Sequence, residues 1–175
     1  MLLQVRYDRP DSSEYAPHYK EYIAGVPDGP LLQILEAQIP ESTELLGGLP
    51  EGKGDFVYAP GKWSLKEVVG HVCDTERVFA YRALRFARGD ATPLPSFDEQ
   101  DWMKDSPFGQ RTLADLLAEF HAVRRASLAL FEHLPQGAAT RRGIASGKEI
   151  SVRALAYTTA GHAHHHFRVI RERYL

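Results

Sequence analysis

Apolar residues recur at helical spacing in four long stretches of the chain, and almost nowhere at the two-residue spacing of a strand. The first stretch runs from about Pro30 to Leu46. Leu31, Ile34, Leu35 and Leu45 share its inner face, Gln38 is expected outside, and Pro30 suits a first helical position. Gly47-Gly48-Leu49-Pro50 stops it, and the glycine- and proline-rich residues up to 62 read as loop. The second stretch opens on Ser64, with Glu67 placed as capping-box partner and Trp63 placed to pack on Val68 as a hydrophobic staple. It runs to about Arg88, turns Leu65, Val68, Val72, Phe79, Ala83 and Phe86 inward, and closes at Gly89-Asp90. The third runs from about Thr112 to Leu134 with Leu113, Leu116, Leu117, Phe120, Val123, Leu128 and Phe131 as a broad stripe, and stops at Pro135-Gln136-Gly137. The fourth opens on Ser151 and runs to about Arg173, with Arg168, Arg171 and Arg173 in the last turns, where the helix dipole favours cations.

Four such helices predict an all-α four-helix bundle over residues 29–175. The second connection, residues 90–110, is long. It carries Pro93, Pro95, Pro107 and Gly109, the acidic Asp98-Glu99-Asp101, and the aromatics Phe97, Trp102 and Phe108. A connection of that length is expected to be functional or to carry short structure of its own, its aromatics suggest that it is packed, and it frees the bundle from a plain up-down-up-down order. Residues 138–150 have room for a short hairpin or loop. Residues 1–28, broken by Pro10, Pro17 and Pro27 and anchored by Tyr7, Tyr15, Tyr19 and Tyr22, predict an irregular arm laid over the bundle.

Composition narrows the function. The 175 residues hold 21 Lys+Arg against 23 Asp+Glu, a net charge of −2, which excludes a strong basic field for nucleic acid. No apolar run reaches the ~18–20 residues of a membrane span. Met1–Asp8 lacks the basic start and apolar stretch of a secretory leader, and a single cysteine, Cys73, excludes an internal disulfide and a cysteine-based zinc cluster. A reducing cytoplasm is the expected location.

Eight histidines are many for this length, and four of them fall within residues 162–166. At about 100° per residue, with His162 at 0°, His166 falls near ~40°, Leu155 near ~20° and Ile170 near ~80°, so both histidines lie on the apolar face one turn apart. His164, near ~200°, points to solvent and His165, near ~−60°, to the margin of the stripe. An i, i+4 histidine pair can place two nitrogens on one metal ion, whereas two imidazoles in a core otherwise need hydrogen-bond partners. His71 on the second helix lies at the edge of its inner stripe and is the candidate third ligand. Three neutral nitrogen ligands with open positions suit a catalytic divalent metal, zinc or nickel alike. Each feature alone reads more readily as a core or surface histidine; the inward pair with a third histidine on a neighbouring helix is harder to explain as packing.

Gly61-Lys62-Trp63-Ser64-Leu65-Lys66-Glu67-Val68-Val69-Gly70-His71 followed by Asp74-Thr75-Glu76-Arg77 resembles the second-helix motif of the DinB-like superfamily, near its YfiT-type metal-dependent hydrolases. Ala160-Gly161-His162-Ala163-His164-His165-His166 followed by Ile170-Arg171-Glu172-Arg173-Tyr174 resembles its fourth-helix histidine element, and the likeness extends over residues 20–175, with Arg88-Gly89-Asp90 and Pro93-Leu94-Pro95. The resemblance implies a four-helix bundle, one divalent metal held by His71, His162 and His166, and a homodimer. His164 stands where the family pattern has no ligand.

Three functions are open to such a site. A three-histidine ion lowers the pKa of bound water to about 7 and polarises carbonyls, which supports hydrolysis of a small-molecule ester or amide. The same ion can bind a thiolate, and the resemblance implies low-molecular-weight-thiol-dependent S-transferases on the same ligand set. The third is a non-catalytic metal-binding stress-response module, whose site would be plugged by an aromatic of the arm or of the 90–110 connection. Candidate auxiliary groups are Asp74, Glu76, the carboxylates of Asp98-Glu99-Asp101 and Arg82. Glu76 reads better as an interhelical salt bridge, and Arg82 as an anion holder or the partner of a loop carboxylate. Cys73 is expected to be a buried apolar residue, and Trp63 and Trp102 packing anchors.

Overall fold

The computed structural model describes residues 7–135 and 137–175; Met1–Arg6, where a leader would be read, and Gln136 of the third stop lie outside them. The arm carries two 3₁₀ turns, Ser12–Glu14 and Pro17–Tyr19, and a short helix α1, Lys20–Ala24. Pro17 starts this helical run instead of breaking it, because the first positions of a helix need no N–H donor. The bundle helices are α2 (Leu31–Leu46), α3 (Leu65–Ala87), α5 (Leu113–Glu132) and α6 (Val152–Val169). Their starts are those the sequence marks. Ser64 and Glu67 form a reciprocal capping box, and Thr112 and Ser151 accept from Asp115 N and Ala154 N.

All three connections are long, not the second alone: residues 47–64, 88–112 and 133–151. The second holds α4, Glu99–Lys104, capped by Asp98. The third holds a hairpin, β1 (Arg142–Ala145) and β2 (Lys148–Ser151), with Arg142 opposite Ser151 and a turn through Ser146 and Gly147, both at positive φ. The two connections are tied together where Leu94 N donates to Ile144 O at 2.9 Å and Ser146 N to Leu94 O at 3.1 Å.

Long connections permit the order observed. α3 packs against α5 and α6, and α2 packs against the same two, so α2 sits across the bundle from α3 and α5 across from α6, while α3 and α5 are neighbours. α2 and α6 run from one apolar cluster to a second; α3 and α5 run the opposite way. The first cluster centres on Leu35, Phe86, Phe131 and Leu155, the second on Leu65, Leu116, Phe120 and Ile170.

Between the clusters lies a polar layer with one contribution from each helix: Gln38 of α2, Glu76 of α3, Arg124 of α5 and His162 of α6, all buried. Arg124, at 0% exposure, donates to both carboxylate oxygens of Glu76 at 2.8 Å, to Leu35 O at 3.1 Å and to Gln38 Oε1; Gln38 Nε2 donates to Ala160 O at 2.9 Å. Gln38 is therefore inside, against the expectation, because Arg124 and the α6 carbonyl supply the partners a buried amide needs. On α5 the buried positions are Leu113, Leu116, Leu117, Phe120, Val123 and Phe131 of the expected stripe, joined by Arg124 and Ser127, and Leu128 is only half-buried.

The arm is fastened by polar contacts. Tyr7 donates to Phe131 O at 2.8 Å, and Glu14 is buried against Arg153, whose Nε donates to it at 2.8 Å. α1 lies directly on α6 at Gly161, where a Cβ would sit 2.0 Å from Tyr22 O. Only glycine admits that approach. No helix among the described residues is long and apolar enough to cross a membrane.

Candidate metal centre

α3 carries His71 and α6 carries His162 and His166 to one point. His162 Nε2 lies 3.1 Å from His71 Nε2 and 3.1 Å from His166 Nε2, and the three possible ligand atoms all lie within 4.8 Å of one another. Two bonds of ~2.0–2.1 Å meeting at one ion span 3.1 Å. The local sequence explains the placement: i, i+4 spacing stacks the α6 pair, and the Ser64 box fixes where α3 begins, about two turns before His71.

The cluster is over-supplied with itself. A neutral imidazole nitrogen offers one proton or one lone pair, so His162 Nε2 serves only one of its two neighbours well. A shared cation satisfies all three. Burial holds His71 down to about 4, and burial first, then the neighbouring histidines, holds His162 well below the usual range; His166 is lowered by burial and by His71. All three are therefore neutral at pH 7, the form that binds metal. His71 Nδ1 faces the Thr75 hydroxyl at 3.4 Å, which orients the ring. His166 Nδ1 is the buried side-chain nitrogen without a partner among the described residues. The donor set fits a divalent ion.

Aromatic rings frame the cluster. Trp63 lies 4.8 Å from His71, ring to ring, and Tyr22 of the arm meets His162 and His165 edge-on at 5.3 and 5.4 Å. The C-terminal π turn, Ile170–Tyr174, brings the Tyr174 hydroxyl to donate to Trp63 O at 2.7 Å. Two spaces open beside the histidines. One, of about 10 Å³, is lined by His71, Asp74, Glu99 and Trp102 among others and holds about one water. The other, of about 260 Å³, is lined by Trp63, His165 and His166 among others. Phe97, Trp102, Met103 and Phe108 of the second connection narrow the first space and Tyr22 of the arm covers His162, while the second space stays open beside His166. A larger cavity, of about 770 Å³ and lined by Tyr7, Leu31 and Leu128 among others, lies elsewhere.

The auxiliary candidates separate. Glu76 is the interhelical salt bridge, spent on Arg124. Arg82 makes no ion pair among the described residues: it donates to Pro95 O at 2.8 Å and Ser146 Oγ at 3.0 Å and lies over the Phe97 ring. Asp74 faces the small cavity, its pKa raised by burial against the pull of Arg77. Asp98 is used in capping α4, and Asp101 pairs with Lys104, while Glu99 reaches the cavity. Cys73 is buried, with its thiol pushed up by burial. His164 is partly buried beside Gly25 rather than fully in solvent. Trp63 is packed, but Trp102 is 47% exposed at the small cavity and stacks on Phe97. Arg124 and Tyr22 carry no sequence motif. The signal for Arg124 is its place in the Phe120–Phe131 stripe; Tyr22 has none beyond its aromaticity.

The DinB superfamily model matches residues 34–170, more than half of the chain. The chain belongs to the DinB superfamily. Among solved structures, this DinB-superfamily chain is similar to YfiT from Bacillus subtilis, described as a probable metal-dependent hydrolase with an unusual four-helix bundle topology. The TM-score is 0.74 at 18% identity, covering 94% of this chain and 90% of that one. At that identity the likeness is one of fold. No curated protein matches the chain.

Proposed function

We propose that the protein is a metal-dependent hydrolase of a small molecule, with His71, His162 and His166 as the metal ligands. The observation that carries the reading is the shared 3.1 Å approach of His71 and His166 to one nitrogen of His162, in a setting that keeps all three neutral. The description of YfiT, the similar fold, agrees with it. A divalent ion, zinc or nickel by donor type, supplies Lewis acidity and acidifies water.

The chain's own residues divide the remaining work. Asp74, one turn beyond His71 on the same rigid helix, and Glu99 face a space of about one water and are the groups able to accept its proton. Thr75 holds the His71 ring, and Trp63 and Tyr22 shield the cluster from bulk solvent. The 260 Å³ cavity on the other side, beside His166, takes the substrate.

Elemental analysis of the purified protein beside His162→Ala tests the centre: we expect near-stoichiometric divalent metal in the parent and its loss in the variant. Equal metal in both removes the site. An ester and amide panel, run on chelated and reloaded protein, tests the reaction. Turnover that tracks metal content supports hydrolysis; turnover of electrophiles only with an added thiol assigns a transferase instead.

A further inference from the structure

The cavity beside His166 has a chemical character of its own. We propose that it binds a small, flat molecule bearing a carboxylate, with the apolar body against Tyr58, Trp63 and Tyr174 and the charge at Lys62. The hydrolase reading enters only in making that cavity the substrate's.

Size comes first. A cavity of about 260 Å³ equals about nine water volumes of ~30 Å³ and falls just below the ~300–1,000 Å³ of drug-sized sites. One six-membered ring with a short substituent fills it. Shape is set by the walls. Tyr58 and Tyr174 meet edge to face at 5.1 Å, the Tyr174 hydroxyl is bound to the backbone of Trp63, and the Trp63 ring packs on His71 at 4.8 Å, so each wall has a support of its own. Rigid aromatic walls favour a flat apolar body.

Charge decides the class. Lys62 is the only Lys, Arg, Asp or Glu of the lining, and it is exposed and makes no ion pair among the described residues. Lys66, one turn along, is by contrast held by Glu51 and Asp55 at 3.1 and 3.0 Å. Gly61, at φ +75°, makes the turn that presents Lys62 at the cavity. The carboxylates of the site, Asp74 and Glu99, line the other space, beside His71. Lys62 gives the His166 side a cation within the lining, with Glu67, which acts on Tyr174 from outside it, bonded to Ser64 N, whereas Asp74 and Glu99 repel an anion on the His71 side. Gln100 adds an amide to the same wall.

The test needs no turnover. Trp63 lines the cavity and Trp102 does not, so Trp102→Phe leaves a single reporting indole. Benzoate, benzamide, benzylamine and acetate are titrated into this protein, followed by fluorescence and by calorimetry. We expect saturable binding of benzoate, at least tenfold weaker binding of benzamide, and none of benzylamine or acetate over the same range. Lys62→Met should bring benzoate to the affinity of benzamide and leave benzamide unchanged. Equal binding of the three aromatics, or no heat and no quenching with any of them, overturns the proposal. So does a preference for benzoate that survives Lys62→Met or disappears when the metal is chelated. Failure of the metal centre is read separately, from metal content.

Discussion

Replacing Glu76 by glutamine changes one atom and a charge, and the structure sets what that costs. Arg124 has no exposed surface, and its guanidinium makes four contacts: two to Glu76, one to Leu35 O and one to Gln38. Removing the carboxylate leaves a guanidinium that keeps its charge at any accessible pH, surrounded by neutral groups. Breaking one side of a buried pair in this way costs about 3–5 kcal/mol. Against a typical domain stability of about 5–15 kcal/mol, that is a large share. For a chain of this length it corresponds to a fall in Tm of about 6–20 °C. Urea unfolding followed by far-UV circular dichroism measures it as a lower midpoint at unchanged slope. The double variant Glu76→Met, Arg124→Leu removes both charges and should recover most of the loss, since apolar pairs of similar volume replace buried ion pairs at little cost. A loss below about 1 kcal/mol in Glu76→Gln, or a double variant weaker than the single one, refutes the reasoning.

Gly161→Ala adds a methyl group 2.0 Å from Tyr22 O. The gain of about 1 kcal/mol in helix propensity is outweighed, and we expect net destabilisation of about 1–3 kcal/mol with faster proteolysis of the arm, measured by urea titration and limited digestion. Glu14 is held down to about 2, chiefly by its hydrogen bonds from Arg153. Its folded pKa is depressed, so its contribution is complete above about 4.5 and is lost as the pH falls toward 2. Glu14 is buried but its partner Arg153 keeps 21% of its side chain exposed, so we expect Glu14→Gln to cost about 1–2 kcal/mol at pH 7 and progressively less down to pH 3, by parallel urea titrations.

The bundle is legible in the sequence because its four stripes are long and its caps are explicit. Ser64 with Glu67, Thr112 and Ser151 mark helix starts to the residue. The histidine cluster is legible for a related reason: i, i+4 spacing on an apolar face is a local fact, and His71 follows a well-marked cap. What escapes is non-local. Gln38 and Arg124 fall on the inner faces of their helices yet read as surface residues by their chemistry, and only each other, with Glu76 and Ala160 O, makes their burial tolerable. Tyr22 meets the histidines because Gly161 lets α1 touch α6, a contact between segments far apart in sequence. Arg82 looks available on its own helix, but the hairpin and Pro95 supply its acceptors.

The layer through Gln38, Glu76, Arg124 and His162 also governs alignment. If α5 slid by a single turn, about 5.4 Å, Arg124 would enter hydrocarbon from one cluster or the other and be stripped of its carboxylate. The same holds for α3 and Glu76. Apolar side chains in the two clusters do not discriminate so sharply among offsets, because one aliphatic contact substitutes tolerably for another. The vertical offset of α3 against α5, and through Gln38 of α2 against α6, is therefore set by charge rather than by greasy packing. Three imidazoles on two helices can meet at a common point only if those offsets are held to a fraction of a turn.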